Sequence, residues 1–344
     1  MAGATKRDFL KKTGQTAIAL ATGLSLEEVL NGCANTESML KGDASVNYPP
    51  LKGQKVQPPN DGCLIGLHRH YATIRPDGEL SKDTGRIIDY YQQKLDNKPA
   101  FFNLCCTIGL TYFPQEEMEG LATKGVIPNI LPDYRVALND ISKGSYDIAI
   151  TEVAKQAAKY GSQHGGFFYL PMRETNLAFW PWGQQPQKAK KAWQHVWRIF
   201  EDNGANEYTT WVWGIKCSID RSADNPEPYY PGDKYVDWIG LSGYSRRFKL
   251  EYTFREVASQ TYHSIHNSHK DKPIMMAEFG RTQGSDQPNF LRSAYKTIRS
   301  WPGMKAALYW DWPDIYLGDD PSLSEASYGV LKEIFKDPYF IGAK

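Results

Sequence analysis

From residue 61 onward the chain alternates two patterns of apolar residues. The first is a short run that is apolar at most positions: Cys63–His70, Ala100–Ile108, Val126–Leu131, Phe167–Met172, Thr209–Ile215, Val236–Leu241, Ile274–Ala277 and Ala306–Trp310. Runs this short, bounded by Gly, Pro and polar residues, read as strands buried on both faces. The second is a longer stretch with apolar residues at helical spacing, as in Leu80–Leu95, where Ile87, Ile88, Tyr91 and Leu95 recur. Gln115–Thr123, Tyr146–Tyr160, Lys188–Asn203, Phe254–His269, Gln287–Ser300 and Leu323–Phe335 have the same character. Strands alternating with helices imply a parallel sheet with helices outside it. Eight strands in roughly 285 residues predict an α/β fold, a (β/α)8 TIM barrel, over residues 61–344.

The first 60 residues break this pattern. Thr5-Lys6-Arg7-Asp8-Phe9-Leu10-Lys11 precedes an apolar segment, Thr16–Leu26, that is too short to span a bilayer. Residues 1–33 are therefore expected to be an export signal. The signal is similar to a twin-arginine leader, with Lys6 in the first arginine position. Leu30-Asn31-Gly32-Cys33 resembles a lipobox, which implies lipid anchoring through Cys33 and a periplasmic, cell-surface or extracellular location. Residues 34–60 carry Pro49, Pro50, Pro58 and Pro59 without a sustained apolar period, and read as a tether or wrapping segment.

Charge narrows the partner. With 40 basic and 39 acidic residues the net charge is +1, so no global field favours nucleic acid or another polyanion. A neutral polymer is the compatible partner, and the protein is expected to be a monomer.

The candidate chemistry lies at two strand ends of one design. Phe167–Met172 leads into Arg173 and Glu174, and Ile274–Ala277 leads into Glu278. In barrels of this kind catalytic side chains collect at the C-terminal ends of strands. Either glutamate alone is more often a salt-bridged or capping carboxylate. Two of them, flanked by tryptophans, suit glycoside hydrolysis, which needs one carboxyl as proton donor and one as nucleophile or base. Aromatic residues make up 13% of the chain, and Trp180, Trp182, Trp211, Trp213, Trp310 and Trp312 fall near strand ends, where indoles can stack on the C–H faces of sugars.

His68-Arg69-His70 ends the first strand as metal-dependent amidohydrolases do, but Thr209–Ile215 and Val236–Leu241 supply no further histidines. No metal and no cofactor is expected; His70 or His68 is a sugar contact or a structural histidine. Cys63, Cys105, Cys106 and Cys217 lack metal-ligand spacing.

These motifs resemble glycoside hydrolase family 26, the β-mannanases and related endoglycanases within the clan of retaining (β/α)8 glycosidases. The likeness runs from about Gly62 to about Phe335. Pro171, Arg173, Glu174, Asn176 and Trp180-Pro181-Trp182-Gly183 are similar to the family's acid/base motif, and Lys272, Pro273, Glu278 and Gly280 to its nucleophile motif. Tyr235–Tyr244 is similar to the strand whose tyrosine hydrogen-bonds the nucleophile.

The resemblance implies a retaining endo-acting enzyme on a β-linked polysaccharide, β-1,4-mannan foremost, with Glu174 as acid/base and Glu278 as nucleophile. Tyr244 would hold Glu278, Trp310 would lie under the sugar of the cleaved bond, and Trp180, Trp182, Asn176, Trp213 and His70 would contact substrate. Three departures stand out: Arg173 replaces a histidine, Leu177 a glycine and Ser242 an aspartate. Arg173 is expected either to fix Glu278 or a sugar hydroxyl, or to be a buried structural arginine pairing an acid on a neighbouring strand. Alternatives are a β-1,3/1,4-glucanase, xylanase or exopolysaccharide hydrolase of the same family, or a silent carbohydrate-binding barrel.

Overall fold

The computed structural model describes residues 53–69, 73–74, 80–81, 83–106, 110–217, 223–245, 252–282, 286–311 and 321–343, all within one compact unit, Asn47–Lys344. The expected export signal, Cys33 and most of the tether lie outside the described residues, as do His70 and Trp312.

Eight parallel strands close into a barrel: β1 Cys63–His68, β2 Phe101–Cys106, β3 Ile127–Pro132, β4 Phe167–Tyr169, β5 Thr209–Lys216, β6 Trp238–Ser245, β7 Ile274–Arg281 and β8 Met304–Trp310. Closure comes from β8 pairing with β1, Leu64 lying opposite Ala306 and His68 opposite Trp310. Around them run helices α1 Thr84–Leu95, α2 Gln115–Ala122, α3 Leu138–Ser142, α4 Asp147–His164, α5 Pro186–Asp202, α6 Phe254–Ser268, α7 Gln287–Ser300 and α8 Glu325–Ile334. The predicted (β/α)8 fold is the observed one. Between β5 and β6 the described residues form only two short 3-10 turns, Glu227–Tyr229 and Asp233–Tyr235.

Strand alternation splits the core in two. Leu64, Phe101, Ile127, Phe168, Val212, Trp238, Met275 and Leu308 fill the barrel, while the intervening residues pack outward against the helices. On α5 the buried positions Ala189, Ala192, Trp193, Val196, Trp197 and Phe200 form one stripe, as a helix covering a sheet requires.

The N-terminal face is sealed by residues just before β1. Val56 enters the inner cluster, its N–H donates to Thr210 Oγ1 at 2.8 Å, and Lys55 pairs with Asp237 at 2.9 Å. Gly166 permits this approach, because a Cβ there would lie 2.3 Å from the Gln54 carbonyl. The described end of the tether is thus a wrapping segment. With the bottom closed, the C-terminal ends of the strands form the mouth.

Local differences from expectation have local causes. The first helix begins at Thr84 rather than Leu80, because Asp83 caps it by accepting from the Arg86 N–H at 3.2 Å, while Leu80–Ser81 pairs with Thr73–Ile74 as a small hairpin. Strand β4 ends at Tyr169, three residues early, since Met172 and Glu174 adopt φ of 50° and 51°, outside any strand conformation. Phe340–Ala343 adds an unforeseen strand that pairs with β1 and with Lys98–Pro99.

Candidate active site

Glu174 and Glu278 meet at one small cleft in the mouth of the barrel. Leu170, Gly214, Gly240 and Ala277 form its apolar part, and Arg173, Glu174, Ser242 and Glu278 its polar part. Gly214 lets the loop after β4 lie against β5, because a Cβ there would meet Leu170 Cδ2 at 2.6 Å.

A bulge aims Glu278. On β7, Met276 lies opposite Leu241 and Glu278 opposite Ser242, so Ala277 is an extra residue relative to β6. Ala277 belongs to the inner core and Glu278 lines the cleft beside it. Two successive residues therefore face inward, which an unbroken strand would forbid. Glu174 is aimed differently, by the left-handed conformations of Met172 and Glu174 in the turn after β4. Backbone strain of this kind persists where surrounding contacts over-determine it.

Those contacts are dense around Glu174. Its Oε1 accepts from Ser242 Oγ at 2.6 Å and from Lys216 Nζ at 2.9 Å, and its Oε2 from Trp180 Nε1 at 3.0 Å. Burial pushes its pKa up, but Lys216 and the three hydrogen bonds outweigh burial and hold it down at about 2. Glu278 has fewer partners. Tyr244 donates to Oε2 at 2.9 Å, Arg173 Nη1 lies 3.6 Å from Oε1, and Oε1 has no hydrogen-bond partner among the described residues. Burial pushes Glu278 up, Arg173 and Tyr244 pull it down, and the negative charge of Glu174 adds to burial, leaving it at about 7.

Arg173 reaches toward Glu278, at 3.6 Å, and toward Asp133 at the end of β3, at 3.7 Å. It is half-buried between these two acids. Its guanidinium carbon also lies 4.6 Å from the ring centre of Trp180, which stacks parallel to Trp182 at 5.0 Å. Trp310, half-buried at the end of β8, stacks on His68 at 3.8 Å. His68 is buried, with Nδ1 at 3.3 Å from the Asn103 carbonyl oxygen, as a structural histidine.

Three expected substrate contacts are corrected. Trp182 is fully buried, its Nε1 donating to the Arg173 carbonyl at 2.8 Å, so it supports the loop after β4. Trp213 is also fully buried: as the outward residue between Val212 and Gly214 it packs against Tyr230 in the outer core. Asn176 uses its amide on backbone, donating to the Lys216 and Asp224 carbonyls at 3.1 and 3.0 Å and accepting from the Lys216 N–H at 2.8 Å. It ties the loop after β4 to the end of β5.

Two site residues were not foreseen, Lys216 and Asp133. Each ends an apolar strand in a charge, as Glu174 and Glu278 do, so the signal was present. Among the described residues no cluster of three or more His, Cys, Asp or Glu side chains is arranged to hold a metal ion.

Comparison with known proteins decides the lineage. The model of glycosyl hydrolase family 26 matches residues 126–343. The chain belongs to that family. The match begins just before β3, so β1 and β2 join this family-26 hydrolase through the barrel itself. Endoglucanase H of Acetivibrio thermocellus is 27% identical over 184 residues, which is 50% of this chain and 20% of that longer protein. Among solved structures, a family-26 β-mannanase from Bacteroides ovatus superposes with a TM-score of 0.61 at 14% identity, covering 83% of this chain and 91% of that one. The family-26 domain of an endo-β-mannanase/endo-β-glucanase from Prevotella bryantii gives 0.60 at 16% identity, covering 82% and 91%. At these identities the superpositions show the fold.

Proposed function

We propose that this glycoside hydrolase cleaves a neutral β-linked polysaccharide, β-1,4-mannan foremost, by double displacement with Glu174 as general acid/base and Glu278 as nucleophile. The observation that carries the reading is the convergence of two buried carboxylates, from β4 and β7, on one cleft. The mannanase neighbours favour mannan; the endoglucanase relative keeps β-glucan as the next substrate to try.

Each carboxylate has a place in two steps. Glu278 Oε1, the oxygen without a hydrogen bond, attacks the anomeric carbon while Tyr244 holds Oε2 and the Arg173 guanidinium lies 3.6 Å from Oε1. The glycosidic C–O bond breaks, and Glu174 delivers a proton to the departing oxygen. Water then attacks the anomeric carbon, loses its proton to Glu174 and releases Glu278. In the empty cleft Lys216 and the hydrogen bonds favour the ionised form of Glu174, and burial beside that charge favours the protonated form of Glu278. The first step uses the reverse order, Glu278 ionised and Glu174 protonated.

That same order favours a second reading, in which Glu278 is the acid and Glu174 the nucleophile. Hydrolysis of mannan, glucomannan, mixed-linkage β-glucan, β-1,3-xylan and cellulose, with Glu174→Ala and Glu278→Ala alongside, tests the function. Cleavage of one polymer, lost in both variants, is expected. Binding without cleavage would make the protein a carbohydrate-binding barrel.

The sequence of residues 1–33 supports an exported protein, lipid-anchored through Cys33. Lipid labelling of cells that express the wild type and Cys33→Ser tests the anchor.

A further inference from the structure

Lys216 is a cation in contact with Glu174 that the catalytic scheme leaves unused. We propose that Lys216 is a positioning residue that, with Ser242, clamps Glu174 as a carboxylate in the empty cleft, and that substrate must draw its ammonium away before Glu174 can act as an acid. The proposal rests on Glu174 being the general acid.

The clamp is built from both sides. Lys216 is the last residue of β5, its side chain is 14% exposed, and its Nζ shares Glu174 Oε1 with the Ser242 hydroxyl. Three donors aimed at two oxygens, one of them an ammonium, favour an ionised acceptor, because protonation would replace lone-pair capacity with an O–H and forfeit the charge-assisted bond. The backbone of Lys216 is fixed in turn by Asn176, which accepts from its N–H and donates to its carbonyl from the same loop that carries Glu174. Clamp and acid therefore hold a constant relative position. The ammonium has another favourable neighbour, the Tyr244 ring at 4.9 Å, on the side of Glu278. A sugar hydroxyl oxygen entering beside Glu174 can accept from Lys216 and free Oε1.

The other ionisable groups around Glu174 do not supply this hold. Arg173 is engaged with Glu278 and Asp133. The half-buried Cys105 and buried Cys217 thiols are pushed up by desolvation, to about 11 and about 12. Glu278 and Asp133 are acids that would raise Glu174, and the Tyr244 phenol, raised by burial, stays neutral.

The test is a carbon-13 NMR titration of the Glu174 carboxyl, assigned by its loss in Glu174→Gln, in wild type, Lys216→Met and Lys216→Arg. Glu174 should titrate roughly one to three pH units higher in Lys216→Met and near its wild-type value in Lys216→Arg. An unchanged titration in Lys216→Met overturns the proposal. On polymer, the acid limb of kcat/KM against pH should rise with it in Lys216→Met, whereas an aryl glycoside whose leaving group needs no proton should show no such rise. Equal movement on both substrates overturns the link through Glu174. If the NMR shift appears while the wild type cleaves no glycan, the clamp stands and the reading of the protein as an active glycosidase falls.

Discussion

Glu174 and Glu278 are equally buried, at 7% exposure each, yet their surroundings push them in opposite directions. On the β4–β5 side three donors, one a cation at 2.9 Å, converge on Glu174. On the β7 side Glu278 has one phenol at 2.9 Å and a guanidinium at 3.6 Å, and keeps one oxygen without a hydrogen bond. Burial is common to both, so the count and reach of the donors decide the outcome. One strand serves both sides: Ser242 and Tyr244, two residues apart on β6, point to the same face and donate one to each carboxylate.

The largest effect that can break this comparison is on turnover. Glu278→Ala should lower kcat on polymer by about 10⁴-fold or more, with every leaving group, because the proposed nucleophile itself is removed. Glu174→Ala should lower it by roughly 10² to 10⁴-fold on polymer but much less on an aryl glycoside that needs no proton. Steady-state kinetics on both substrates separate the two, and equal losses on both in Glu174→Ala would erase the assigned difference.

Stability should move in opposite directions. Glu174→Ala leaves Lys216 buried without its counter-charge and should cost roughly 3–5 kcal/mol by urea denaturation. Glu278→Gln should instead stabilise the protein by about 1–3 kcal/mol, but only in alkaline solution. The sign follows from the raised pKa: protonated Glu278 suits its site below the ordinary carboxyl value, and that advantage is lost as pH rises through about 7. For Glu174, held low, the stabilisation exists above the ordinary value and is lost as pH falls toward about 2. Melting curves of wild type and both variants at pH 5 and pH 9 would show the crossing.

Smaller effects probe the support of the Glu174 side. Asn176→Ala strands the Lys216 backbone groups and should cost roughly 1–3 kcal/mol. Trp182→Phe removes the donor to the Arg173 carbonyl and should cost about 0.5–1.5 kcal/mol, with a weaker effect on KM than Trp180→Phe, whose indole touches Glu174 directly. Denaturation and initial-rate measurements distinguish these.

The barrel and its carboxyl pair were legible in the sequence for one reason: an apolar run ending in a charged residue marks a buried strand that opens on the mouth. Glu174 and Glu278 show it, and so do Lys216 and Asp133, whose surrounding residues form no motif that marks them. Residue type alone misled where the facing of a side chain mattered. Trp213 looked like a sugar platform, but alternation along β5 turns it outward, and Val212 and Gly214 take the inner positions. The motif resemblance implies a sugar contact for Asn176; the backbone it satisfies instead is distant in sequence. The bulge at Ala277 and the left-handed turn at Met172 and Glu174 left no local signature, since both arise from packing between neighbouring strands.

The central claim is that Glu278 forms the bond to the sugar and Glu174 handles the proton. Incubating the protein with an activated 2-deoxy-2-fluoro glycoside of the sugar it cleaves, followed by peptide mass spectrometry, tests that directly. The account predicts a glycosyl adduct on Glu278, within Ile274–Arg281, and none on Glu174. An adduct on Glu174 would reverse the roles, and inverted product with no adduct on either would contradict double displacement altogether.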